Sequence, residues 1–352
     1  MRVESLHLPP GSTRCLIDAG RCSRIPTLKP LTEYQRFVSS SVRPFERGVA
    51  GPTLHCPDTQ PLTLSAMSQV PVTVIVPVKN EEQNLPSCLE PLVPFRRVLV
   101  VDSASTDGTR EVAAEYGAEV VQFEWDGKYP KKRNWVLDNH QVQTTWVLFL
   151  DADEIVTEDF VDEVRLAVDR DDHVGFWLTY HNYFMGRRLR HGDRLRKLAL
   201  FRVDAGRYER IDEDRWSHLD VEIHEHPILE GKVGRIHSPI DHRDLRGLHH
   251  HIEKHNEYSS WEAHRYLELG DPHASAWMGL NRRQRSKYRH LDRWWLAPAY
   301  FFASYVVRRG FLDGQVGFAF AVFKATYFIQ IRNKIHELRM ASGADQLTNT
   351  EG

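Results

Sequence analysis

The sequence predicts an α/β fold, a largely parallel sheet flanked by helices and followed by a helical C-terminal region. Three observations carry this expectation. From Val70 onward, short β-branched runs alternate with helical patterns in the order strand-helix-strand-helix-strand-helix-strand. The five consecutive apolar residues Trp146 to Leu150 are too few for a typical helix and read as a strand buried on both faces. That run ends abruptly in Asp151-Ala152-Asp153-Glu154. Open α/β sheets bind their ligands there, outside the carboxyl ends of the strands.

Taken in order, the first element is the β-branched strand Val72-Thr73-Val74-Ile75-Val76-Pro77. After Lys79-Asn80-Glu81-Glu82, Leu85, Leu89 and Leu92 recur at i, i+4 and i+7, the buried face of a helix. Arg97 to Val101 is a second strand ending in Asp102, and Ser103 to Thr109 supplies turn and N-cap residues for a helix that stops near Gly117. Ala118 to Phe123 is a third strand. Pro130 then starts a helix whose first turn holds Lys131, Lys132, Arg133 and Asn134. Basic residues there oppose the helix dipole, a cost that a bound anion would offset; the alternative is a solvated basic face. The order is that of a nucleotide-binding sheet. No G-x-G-x-x-G follows the first strand and no G-x-x-x-x-G-K-[ST] occurs, which argues against a dinucleotide oxidoreductase and a P-loop NTPase. Asp151 and Asp153 are candidate ligands of a hard divalent cation, Mg²⁺ or Mn²⁺, that would also hold substrate phosphates. The alternative is a strand end before a helix whose acidic first turn suits its dipole.

The 352 residues suffice for one large domain or two smaller ones. A formal net charge of −2 gives no basis for a nucleic-acid partner. Cys15, Cys22, Cys56 and Cys88 lack metal-ligand spacing and make a poor disulfide framework, as expected of a reduced, intracellular protein. No charged segment followed by an apolar core opens the sequence, and no clean apolar run reaches the roughly 18 residues of a span, so neither a secretory signal nor a transmembrane helix is expected. Residues 1–69 are rich in Pro, Ser, Thr and Arg without a sustained period, and read as disordered or as an over-extended reading frame with Met67 as initiator. Peptides from residues 1–66 in mass spectrometry of the natively expressed protein would remove the second hypothesis.

The runs Val74 to Glu82, Val100 to Thr109, Lys132-Arg133-Asn134 and Leu150 to Glu154 together resemble, in order and spacing, the family 2 glycosyltransferases. Beyond them Phe184 to Arg187, Leu200-Phe201-Arg202, Val221 to Glu225 and Gly231 to Gly234 look like the bacterial branch that glucosylates lipopolysaccharide cores and related lipid-linked glycans. The resemblance implies a glycosyltransferase-A fold binding a nucleotide diphosphate sugar, with UDP-glucose the expected donor. Pro77, Lys79 and Glu81 would border base and ribose, and Asp102 would contact the nucleoside. Many members carry a second Asp directly after that one, where this chain has Ser103. Asp151 and Asp153 match the family's D-x-D, Asp153 being the better candidate for direct metal contact. Lys132 and Arg133 would add positive charge at the leaving diphosphate. An inverting displacement also needs a carboxylate base. Glu225 fits its place in this branch, with Glu222 as the alternative. His242 and His255 sit where the branch has histidines, so acceptor or diphosphate contact stands beside a structural role. Neither H-E-x-x-H nor a Cys/His pairing appears among the many histidines, so zinc is not expected.

Two basic regions complete the reading. Arg187, Arg188, Arg190, Arg194 and Arg196, with Gly186 and Gly192, suit either a phosphorylated acceptor or a solvated loop. Between Arg282 and Arg339 twelve Lys and Arg face three acids, interleaved with aromatics, which reads as a membrane-surface region or else as a helical subdomain or dimer interface covering the sheet. The expected boundaries are a catalytic domain over 70–245, a membrane-associating helical region over 246–340 and a disordered tail over 341–352. The implied protein is a metal-dependent, inverting hexosyltransferase, cytoplasmic and peripheral on the inner membrane face, acting on a glycan or glycolipid of lipopolysaccharide or exopolysaccharide type. Two alternatives stand: a non-catalytic scaffold that keeps the fold, and a sugar nucleotidyltransferase, which lacks support because no Gly-rich loop follows the first strand.

Overall fold

The computed structural model describes residues 69–348 apart from 141, 212, 214, 215, 218 and 220–225. The expectations for residues 1–68 lie outside the described residues. The chain opens with β1 (Val70–Val78), buried almost throughout as a central strand covered on both faces must be. A short α1 (Leu85–Leu89) follows, then a 3₁₀ turn over Glu90–Leu92. Pro91 has no N–H for another α-turn, so the expected single helix divides there, while Leu85, Leu89 and Leu92 are all buried. Next come β2 (Phe95–Asp102), α2 (Thr109–Glu115), β3 (Glu119–Gln122), α3 (Lys132–Asn139), β4 (Trp146–Phe149) and the two-residue β5 (Glu154–Ile155). Helix α4 (Glu158–Val168) is capped by Thr157, whose Oγ1 accepts from Phe160 N at 3.2 Å, and it buries Phe160, Val161, Val164 and Val168.

The second half of the sheet comes from β6 (Gly175–Phe184), β7 (Arg187–Arg188) and β8 (Arg196–Arg202). Strands β9 (Gly206–Tyr208) and β10 (Pro227–Leu229) form a separate antiparallel pair, and β11 (Val233–His242) returns to the main sheet. The order in that sheet is β3-β2-β1-β4-β8-β6-β11-β5, with β7 paired to β6. Strands β1 to β4 are parallel neighbours, whereas β8 runs antiparallel to both β4 and β6. One apolar core unites the two halves.

Helices then take over. The long α5 (Gly247–Leu269), α6 (Arg282–His290), α7 (Leu296–Phe302) with a π-turn over Ala303–Val307, and α8 (Gly314–Thr348) form a layer. It has its own small core of Ala263, Leu269, Trp277, Leu280, Tyr288, Leu291, Ile331 and Ile335. Helix α8 continues past residue 340, where the tail was expected to begin, because residues 335–347 contain no proline to stop it. Among the described residues no helix is long and apolar enough to cross a membrane.

Candidate active site

Strands β1, β2 and β3 run one way across the sheet and β4 lies on the other side of β1, so the strand order reverses between β1 and β4. Ligands of open α/β sheets bind in the crevice at such a reversal. The loops after β1 and β2 are clipped together above it. Asn80, at φ 55°, donates its N–H to Ser105 Oγ at 2.9 Å and accepts from Thr106 N at 2.8 Å. Glu81 N donates to Thr109 Oγ1 at 2.8 Å, and Gly108 N to Glu82 Oε2 at 3.0 Å. A Cβ on Gly108 would lie 3.0 Å from Glu82 Cδ, so glycine permits this approach. Asp102 is fully buried and accepts from both the N–H and the hydroxyl of Ser105. Ser103 Oγ is buried with no hydrogen-bond partner among the described residues. Lys79 is exposed and Pro77 partly so, at the lip of the crevice. Burial raises Glu81 to about 7, against the pull of Arg246 and Asn84.

The carboxylates after β4 form a graded set. Asp151 is held on both oxygens, by Arg133 Nη2 on Oδ1 at 3.0 Å and by Lys197 Nζ on Oδ2. Burial would push its carboxyl up, but Lys197 and Arg133 outweigh burial and hold it well below the ordinary range. Lys197 also grips the fully buried Glu154, whose Oε2 accepts from Asp151 N and Tyr180 OH, each at 3.3 Å. Burial lifts Glu154, and Lys197 offsets only part of that. Asp153 is different. Only 4 % exposed, it has Oδ2 3.4 Å from His242 Nε2, while Oδ1 is buried with no partner among the described residues. Burial opposes its ionisation, but His242 and Lys254 hold it well below the usual carboxylate range.

The Lys-Arg-Asn run makes its contacts within the protein, which corrects the alternative of a solvated basic face. The helix begins at Lys132, and Lys131 pairs at 2.5 Å with the buried Glu213. Lys132 is fully buried and donates to the Val78 carbonyl at 2.9 Å, bracing the end of β1 rather than facing solvent. Arg133 meets Asp151. Asn134 clamps the Tyr208 backbone in both directions, donating to its carbonyl at 3.0 Å and accepting from its N–H at 2.9 Å.

Residues 73–224 match the family model described as glycosyl transferase family 2. Residues 73–224 form a family 2 glycosyltransferase domain. Its sheet, flanked by helices, is the architecture that the glycosyltransferase-A resemblance implied. The chain is also similar to the lipopolysaccharide core biosynthesis glycosyltransferase LpsC of Rhizobium meliloti (strain 1021), 26% identical over 279 residues that cover 76% of this chain and 93% of that one. Among solved structures, a mannosyltransferase from Pyrobaculum calidifontis in complex with GDP-Man and Mn²⁺ aligns with 15% identity and a TM-score of 0.41, over 76% of this chain and 88% of that one. A glucosyl-3-phosphoglycerate synthase from Mycobacterium tuberculosis aligns with 26% identity and a TM-score of 0.25, over 33% of this chain and 44% of the synthase. The aligned part is a third of this chain and spans less than half of that synthase.

Of the expected site residues in this glycosyltransferase domain, Asp151, Asp153 and Arg133 converge with Glu81 around the crevice, whereas Arg187 is exposed on β7, away from them in the sheet order. Glu222 and Glu225 lie outside the described residues. Sequence reading missed Lys197, Tyr180, Arg246 and Lys254. Lys197 had a signal only in strand pairing: Leu148 pairs with Leu200, so three residues further Asp151 comes level with Lys197. Among the described residues no group of three or more His, Cys, Asp or Glu side chains makes a preformed metal site.

Proposed function

We propose that the chain is an inverting, metal-dependent hexosyltransferase, moving a hexose from a nucleotide diphosphate sugar, UDP-glucose as first candidate, to a hydroxyl of a lipid-linked or cell-envelope glycan. The observation that carries this is Asp153: an ionised, buried carboxylate at the strand-order reversal with one oxygen unpartnered. Such a donor fits Mg²⁺ or Mn²⁺, which take one or two carboxylates and complete their shell with water and substrate phosphate. Asp153 would hold the ion, with Asp151 released to it only if Lys197 or Arg133 shifts. When bound, the ion supplies Lewis-acid stabilisation of the leaving diphosphate. Arg133 and Lys197 keep two positive charges beside the same place, where leaving-group charge develops. The clipped loops of Asn80 and Ser105 shape the nucleoside side, and Ser103 Oγ is the open polar atom there.

Glu225 is the proposed base. Support comes from the likeness of Val221 to Glu225 to the bacterial branch; the adjoining His226 is lowered by burial, then by Arg283 and Lys287, and least by Arg133. The relative's role in lipopolysaccharide core synthesis supports a lipid-linked acceptor. The exposed arginines and aromatics of α6 to α8 support work at the inner face of the cytoplasmic membrane. A thermal-shift panel of UDP, GDP, ADP and dTDP and their sugars, with Mn²⁺, with Mg²⁺ and with chelator, tests the reading. A metal-dependent rise in Tm for one base class is expected; no rise for any of them on folded protein would overturn it.

A further inference from the structure

Helix α5 presents Lys254 to the D-x-D carboxylates, and on the same stretch His251 and His255 turn toward α8. Between the two helices lies a cavity of about 50 Å³, lined by His251, His255, Lys324 and the rings of Phe320, Phe323 and Tyr327. That volume is several times the roughly 10–15 Å³ one water needs, and too small for a sugar ring with its hydroxyls. Its chemistry is one-sided. Lys324 has no hydrogen-bond or ion-pair partner among the described residues and lies over the Phe320 ring, 5.7 Å from Nζ to its centroid. The two imidazoles lie 4.0 Å apart, and His255 gives Nδ1–H to the His251 carbonyl at 2.8 Å, leaving Nε2 as its free ring nitrogen. The acids that act on these groups are already engaged: Asp193 by Tyr300 and Arg308, Asp244 by Arg246 and Asn84.

A partly buried ammonium without a counter-ion, beside two imidazoles, is costly unless an anion neutralises it. The aromatic lining continues onto exposed Ile252 and Val322, so the cavity has an apolar surround as well as a charged centre. We propose that this cavity binds the phosphate of an amphiphile, its oxygens on Lys324, His251 and His255 and its apolar chain along the neighbouring rings. This rests on the glycosyltransferase reading for one point only, that the amphiphile is the acceptor; a lipid-linked phosphate held here would sit against the same helix that carries Lys254. Burial and Lys324 both keep the imidazoles neutral in the empty site, so His255, whose Nδ1–H is already given to the His251 carbonyl, takes up a proton on Nε2 when it donates to the bound phosphate.

Binding is measured directly by titration calorimetry on the full-length chain, using inorganic phosphate, dodecyl phosphate below its micellar concentration and the uncharged dodecyl maltoside. Dodecyl phosphate is expected to bind at least tenfold more tightly than inorganic phosphate, and dodecyl maltoside not to compete. Lys324→Met is expected to weaken dodecyl phosphate at least tenfold and Lys324→Arg to restore it, with unchanged circular dichroism for both. Asp153→Asn, which alters the donor site, is expected to leave this binding intact. Equal affinity for the two phosphates would make this a free-ion site and overturn the amphiphile; wild-type affinity in Lys324→Met would overturn the site itself. A chain that binds dodecyl phosphate but no nucleotide sinks the glycosyltransferase reading alone, and the reverse sinks this inference alone.

Discussion

At the scale of single residues, the pair Asp151 and Asp153 divides what a D-x-D spacing leaves undifferentiated. Asp151 is neutralised by Arg133 and Lys197, while Asp153 keeps a free buried oxygen. Asp153→Asn is therefore expected to remove the metal dependence of nucleotide binding and to lower kcat by roughly 10²–10³-fold or more, the usual scale for one lost electrostatic contact to developing charge. Its melting curve should stay cooperative; retained metal-dependent binding would move the ion elsewhere. Lys197→Met should act first on stability. It strands Asp151 and the fully buried Glu154 within reach of each other, and breaking a buried ion pair from one side costs about 3–5 kcal/mol. A companion Glu154→Gln should recover much of the lost Tm, and no recovery would show that Lys197 matters through packing alone. The carboxylates could be read from sequence because a buried strand must stop where charges begin. Lys197 could not, since a lysine in Arg196-Lys197-Leu198 has no local mark, and only the register of β4 against β8 sets it opposite Asp151. Lys132 misled for a related reason: a lysine beside two other basic residues looks solvated until its Nζ is seen on the Val78 carbonyl.

Among the elements, the parallel strands β1, β2 and β4 were legible because each carries a buried stretch of β-branched and apolar residues, whereas the edge strand β3 buries Val121 alone. The second half of the sheet was less so, as β6 mixes Thr179, His181 and Asn182 with its apolar residues and pairs with strands distant in sequence. A helical region from residue 246 was expected, but the place of α5 between D-x-D and α8 was not, because His251, Lys254 and His255 differ only through what faces them. Helix α5 has a pH signature. Burial, reinforced by Lys324, lowers His251 to about 4 and His255 to about 3, below the ordinary 6.5. As pH falls below 6.5 the unfolded chain takes up protons that the folded one refuses, so stability intact above that value is lost on acidification towards 4. The slope is at most about 1.4 kcal/mol per pH unit for each histidine. Melts in phosphate-free buffer from pH 7.5 to 5 should show Tm falling, and His255→Gln should flatten the fall; an unchanged slope in that variant would remove His255 as a cause.

The whole molecule raises the question of which way the site faces. Helix α8 uses Ile331 and Ile335 to pack into the core of the helical layer, and this leaves Phe318, Val322 and Ile329 exposed. Trp294, Phe302, Val307, Phe311 and Leu312 are exposed on the preceding segments, together with Arg282, Arg285, Arg289, Arg293, Arg308 and Arg309. Composition foretold the mixture, but only the packing of α8 on α5 shows which rings remain outside. Apolar side chains beside arginines suit the headgroup boundary of an anionic leaflet, and no described helix is able to span it. Flotation with anionic vesicles should therefore recover the chain at low salt, and zwitterionic vesicles should recover much less. Raising salt should weaken binding as surface charges are screened, with each arginine near the surface worth about 1 kcal/mol. Replacing Trp294 and Phe311 together by Ser should cost roughly a hundredfold or more in affinity, since burying each large apolar side chain contributes about 1.5–3 kcal/mol. The same basic loop geometry links this surface to the sheet: Asp313, at the turn into α8, accepts from the backbone N–H groups of Arg190 and His191, and Gly192 N donates to the Arg308 carbonyl at 3.0 Å. Asp313→Ala should thus loosen the 187–194 loop without touching the vesicle-facing rings, so it should leave flotation unchanged while exposing that loop to protease; a loss of flotation in this variant would mean that the arginines of the loop, rather than the helical surface, carry the membrane contact.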